Sequence, residues 1–80
     1  MIYFYNVQRI TKDHSETYNT DSFEKALAIA FGWADDPETD ELCMVSGNTG
    51  EIVIDRTGRD WYFDPDMVRK IARYFKAKGA

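Results

Sequence analysis

Eighty residues, 44% of them apolar and 30% charged, describe one folded domain spanning residues 1–80, because a disordered chain lacks that apolar surface. The single cysteine, Cys43, excludes an internal disulfide framework and suits a reducing compartment. Net charge is −4, with nine acidic and two basic residues between Lys12 and Glu41 but five basic and no acidic ones from Met67 onward; an asymmetry of this kind bears on partners rather than on fold.

Residues Ile2 to Ile10 read as the first strand. Tyr3, Tyr5 and Val7 alternate on one side, and Ile2 and Phe4 on the other. Apolar groups on both sides suit a place inside a sheet. Lys12-Asp13-His14-Ser15 turns the chain, and Glu16 to Asn19 forms a short return strand around Tyr18.

A helix follows over Ser22–Ala34. Asp21 is the expected N-cap, with Glu24 three residues on in a capping-box arrangement. Phe23, Leu27, Ala30, Phe31 and Ala34 make an apolar stripe that Ala26, Ile29 and Trp33 widen, so most of this helix is expected to be buried. Pro37 ends it near Asp35. Asp35 to Glu41 then reads as an exposed acidic loop.

Leu42 to Ser46 and Glu51 to Asp55 are strands joined by the hairpin loop Gly47-Asn48-Thr49-Gly50. Arg56-Thr57-Gly58-Arg59 is a second turn, and Asp60 to Phe63 a final strand. A second helix covers Pro65–Lys78. Asp64 caps it, Pro65 suits its first position and Asp66 its positive end. Met67, Val68, Ile71, Ala72 and Phe75 form its apolar stripe. The resulting order is β(β)αβββα, the sequence leaving open whether residues 16–19 are a strand or part of the turn. The expected fold class is α+β, an antiparallel sheet of four to five short strands with two helices.

Candidate chemistry is sparse. Asp36, Glu38 and Asp40 alternate like the first ligands of a calcium loop. Glu41 stands where that loop needs its turn glycine, and Gly47 where it needs a bidentate carboxylate. His14 and Cys43 are the lone members of their kinds, with no orienting group assignable, and Cys43 reads as a buried small apolar residue. The glycines fall in turns without a phosphate-loop pattern. No catalytic residue, metal or cofactor is therefore expected, and the chain reads as a non-enzyme.

Two surfaces remain. The acidic segment, with Asp35, Asp36, Glu38, Asp40 and Glu41, suits a basic partner surface. The rings of Tyr3 and Tyr5 join it if the helices cover the opposite face of the first strand. If the helices cover the tyrosine face, Ile2 and Phe4 are the exposed pair. The second surface is the basic helix, where Arg69, Lys70, Arg73 and Lys76 suit a phosphate backbone and Trp61 a stacked base. Against it stands a sequence pI of about 4.8.

Arg9, Lys12 and Asp13 interrupt any apolar run near the start, and the stretch Ala26 to Ala34 is far short of a membrane span. A cytoplasmic protein without membrane association is expected. In size, acidity and element order the chain is similar to small proteins carried by phages and mobile elements, among them the anti-CRISPR proteins. That architectural resemblance implies an inhibitor that blocks a host nucleoprotein machine. The expected function is protein binding at a basic surface of a nucleic-acid-handling partner, and the alternative is direct nucleic-acid binding through the second helix.

Overall fold

The computed structural model describes residues 4–78. Its five strands are β1 (Tyr5–Thr11), β2 (Ser15–Thr20), β3 (Thr39–Ser46), β4 (Ile52–Thr57) and β5 (Asp60–Phe63). Helix α1 (Phe23–Ala34) joins β2 to β3, and helix α2 (Val68–Ala77) follows β5. The sheet order is β2-β1-β3-β4-β5, with every neighbouring pair antiparallel. The α+β class, the strand number and the two helices are those expected. The short return strand is present, and β1 is an interior strand.

Alternation in β1 decides which side is buried. Val7 stands opposite Met44, and Met44 opposite Ile54, so three fully buried side chains form one row across three strands. Helix α1 covers that row with Ala26, Leu27 and Ala30, whose spacing places them on one helical face. The two alanines let the helix approach the sheet closely. Tyr5 belongs to this core, its ring edge-on to Phe23 at 5.3 Å. The expected tyrosine patch is therefore overturned at Tyr5, and Phe4, on the opposite side of the strand, is the exposed ring. Tyr3 lies outside the described residues.

Several boundaries move for identifiable reasons. Ser22, not Asp21, caps α1: its hydroxyl accepts from Lys25 N, and its own N–H is held by Thr20 Oγ1. Both residues are good caps, so local chemistry does not separate them. The Asp64 carboxylate accepts from Asp66 N as expected, but Pro65–Met67 forms a single 3₁₀ turn before α2 begins. Strand β4 continues through Arg56, which is buried rather than part of a turn. The reversal is made by Gly58 and Arg59. Gly58 sits at φ 62°, where a side chain would be strained, as the first central residue of a type II′ hairpin requires.

The acidic loop is shorter than expected, because β3 begins at Thr39. Thr39 pairs with Thr11 across a register shift that leaves Asp40 of β3 unmatched, and is itself buried. Arg9 Nη1 donates to its hydroxyl at 3.1 Å and Arg56 Nη2 to its carbonyl at 2.7 Å. These long-range bonds override the weak strand propensity of Thr-Asp-Glu.

Helix α2 packs more lightly than its sequence stripe suggests. Ile71 is its one buried residue, flanked by the partly buried Met67 and Tyr74. Val68, Ala72 and Phe75, expected in the core, are exposed. They form a ridge on the β5 side of the helix. Among the described residues no helix is long and apolar enough to cross a membrane.

Candidate interaction surfaces

The acidic end of the molecule is organised by Arg9. This side chain points from the interior strand β1 towards the segment after α1. It donates to Asp36 Oδ2 at 2.7 Å and pairs with Glu16 of β2, while its guanidinium lies 5.2 Å from the centre of the Trp33 ring. Asp36 Oδ1 also accepts from the N–H of Glu38 at 2.9 Å. The Arg9 contact, followed by that backbone bond, holds the Asp36 carboxyl below the usual carboxylate range. Hydrogen bonding to Asp36 raises the Arg9 guanidinium in turn. Both Asp36 oxygens are thus engaged within the chain, while the side chain stays about one-third exposed.

The remaining acids divide between two faces. Glu38 and Asp40 stay exposed beside the β1–β2 turn, where Lys12, Asp13 and His14 complete a shallow depression of about 280 Å³. Asp13, which the sequence reading left out, becomes part of the acidic surface only because β1 and β3 are neighbours. Asp35 is exposed at the end of α1. Glu41 lies opposite Ile10 on the uncovered face of the sheet, away from the depression. His14 is tied to its own turn, with Nδ1 3.1 Å from Thr11 Oγ1 and Nε2 3.8 Å from Glu16.

Cys43 is half-buried on the uncovered face, opposite Gln8 and Asp55. It is not the fully buried residue expected, and His14 is not among the groups around it. Burial, and then the nearby Asp55 charge, push its thiol up, which disfavours the thiolate a nucleophile needs. Among the described residues no group of three or more His, Cys, Asp and Glu side chains is placed to hold a metal ion.

The basic residues of α2 also divide. Arg69, Arg73 and Lys76 are exposed on its solvent side. Lys70, also exposed, leans over the Phe23 ring at 4.4 Å and lines an open depression of about 700 Å³ between the start of α1 and α2. Trp61 does not stand free for a base. Phe31 and Phe63 stack against its indole at 5.9 and 5.4 Å, and the Arg56 guanidinium lies 5.5 Å from its centre. The structure also reveals a groove along β5, lined by Phe63, Val68, Ile71 and Ala72. The signal for it is present in the sequence as Val68, Ala72 and Phe75 at i, i+4 and i+7, a spacing that describes a helical side without saying what covers it.

No protein-family model, curated protein or solved structure matches the chain. The class is therefore the one its own fold defines: an α+β protein with a five-stranded antiparallel sheet and two helices.

Proposed function

We propose that the protein is a non-enzymatic binding module that engages a basic surface on a partner protein through its acidic end, and so inhibits a nucleic-acid-handling protein. The observation that carries this reading is the double engagement of Arg9. By holding Asp36 and Glu16 together it ties the α1–β3 connection to the first hairpin, and Asp13, Glu38 and Asp40 surround the depression between them. Carboxylates on a braced frame lose less conformational entropy on binding than carboxylates on a free loop. Three carboxylates against the single cation of Lys12 leave the depression net negative, which steers an oppositely charged partner and occupies contacts that phosphates would make. The second reading is nucleic-acid binding by α2, favoured by the common orientation of Arg69, Arg73 and Lys76.

Charge reversal separates the two. One variant carries Asp13→Lys, Glu38→Lys and Asp40→Lys, leaving Asp36 in place; the other carries Arg69→Glu and Arg73→Glu. Each is compared with the wild type for affinity to the partner captured from a lysate of the source organism, and to random double-stranded DNA, at two salt concentrations. Loss of partner binding in the first variant, shrinking as salt rises, supports the acidic end. Salt-dependent DNA binding that the second variant abolishes supports α2 instead. Circular dichroism checks folding of both.

A further inference from the structure

We propose that the open edge of β5 captures an extended segment of a partner protein, apolar at alternate positions and acidic at its flanks. This surface is separate from the acidic end and does not depend on it. Strand β5 has β4 on one side and, among the described residues, no strand on the other. The Asp64 N–H is directed inward, donating to Val53 O at 2.9 Å. Alternation then directs the backbone groups of Phe63 and Trp61 outward, where an added strand would bond them. The side chains of the same two residues lie on the helix-covered face, opposite the buried Ile54 and Arg56.

Beside this edge runs a groove of about 200 Å³ whose lining, Phe63, Val68, Ile71 and Ala72, is entirely apolar. Trp61, Val68 and Phe75 continue the apolar surface at 41%, 47% and 39% exposure, with Phe31 of α1 joining the Trp61 and Phe75 rings into one patch. One helical step beyond the ridge stand Arg69 and Lys76, both exposed. The edge calls for an extended backbone, the groove for apolar side chains on the face beneath α2, and the basic rim for acidic ones reaching over it. The opposite edge, β2, is mainly polar, with the sequence SETYNT.

A second copy is a poorer occupant. Pairing β5 with itself so that Trp61 faces Phe63 sets Asp60 against the partner's Asp64 and brings two basic helices together, and like charges so placed disfavour association. A helical partner leaves the edge groups unbonded. An acidic and apolar strand meets all three features.

The test uses the whole chain and the synthetic peptide acetyl-Glu-Thr-Ile-Thr-Ile-Thr-Glu-amide, whose Glu and Ile side chains share one strand face. Amide chemical shifts of the labelled protein are followed during titration. The expected result is a saturable shift centred on Trp61, Phe63, Val68 and Ala72, with Kd below about 1 mM. N-methylation at the two Ile residues removes the bonds to β5 and should weaken binding about tenfold or more. Replacing both Glu by Lys should also weaken it, and the Arg69→Glu, Lys76→Glu variant should reverse that preference.

No saturable shift at β5 and α2, shifts at β2 instead, or equal binding of the N-methylated peptide overturns the proposal. So does a concentration-dependent dimer of the wild type, seen by sedimentation and abolished by Val68→Glu, because the groove then belongs to a second copy. The peptide comparison needs only the wild type, so a variant that fails to fold does not decide the matter. The Asp13, Glu38 and Asp40 reversal should bind the peptide like wild type, which keeps the outcome independent of the acidic-end reading.

Discussion

Arg9 Nη1 lies 2.7 Å from Asp36 Oδ2, joining an interior strand to a residue 27 positions away in the connection after α1. The same nitrogen donates to Thr39 Oγ1 at 3.1 Å, where β3 starts. A partly buried bidentate cation thus sets where the acidic segment stops being a loop. It also explains why Asp36 and its neighbours Glu38 and Asp40 behave differently despite equal charge.

Acid should remove this brace. The Asp36 carboxyl is held below the usual range, so near its ordinary pKa, about 3.9, the unfolded chain takes up a proton that the folded chain refuses. The stabilisation is therefore complete above that pH and is lost as pH falls through the depressed folded value. Asp36→Asn should lower Tm near neutrality, and the gap from wild type should close below about pH 4. Thermal melts over the acidic range check this. A gap independent of pH would show that the ionised pair contributes nothing.

Core truncation should separate the two helices' apolar faces. Leu27 is fully buried, and Leu27→Ala should cost about 2–5 kcal/mol. Val68 is nearly half exposed, and Val68→Ala should stay within about 0.5 kcal/mol. Urea titration of the two variants measures the contrast. Equal losses would mean that Val68 is covered in solution.

Arg56 should be needed for its two forward bonds. It donates to Ala34 O at 3.0 Å and to Thr39 O at 2.7 Å, linking the end of α1 to the start of β3. The Ala34 carbonyl lies at the negative end of the α1 dipole, which favours a cation there. Arg56→Met keeps the apolar stem but strands both carbonyls, at about 1–3 kcal/mol for each that water cannot reach. Trp61 emission should change as well, because its indole loses the guanidinium beside it. An unaltered denaturation midpoint would remove Arg56 from the structural role assigned to it.

Cys43 should react slowly. Burial and the Asp55 charge both raise its thiol, so little thiolate is present near neutrality. Alkylation by iodoacetamide should be slower in the folded protein than in urea, and Asp55→Asn should speed the folded reaction by a smaller factor. Equal rates folded and unfolded would place the thiol in open solvent.

Local patterns carried much of this architecture. The Asp64-Pro65 start of the second helical segment, the Gly47–Gly50 loop and the broad apolar face of α1 were all legible, because caps, turns and periodicity act over a few residues; the second strand, polar but for Tyr18, was open until β1 paired with it. The acidic segment was legible as charge but not as structure. Asp36 finds Arg9, and Thr39 finds both arginines, only after β1 and β3 have paired. Asp13 joins Glu38 and Asp40 for the same reason.

What the chain determined by itself was the set of elements and which residues on each are apolar. Tertiary structure alone decided which of two apolar faces is covered. In β1 both Tyr5 and Phe4 are candidates, and α1 buries the tyrosine by seating Phe23 against it. In α2 the ridge of Val68, Ala72 and Phe75 is as apolar as Ile71, yet it stays exposed: Phe31 of α1 meets the Phe75 ring at 4.8 Å and Phe63 of β5 lines a groove with Val68 and Ala72, and neither covers the ridge. Periodicity reports how side chains are arranged about one element's own axis. Burial depends on which other element arrives, and that is set by contacts between residues far apart in the chain.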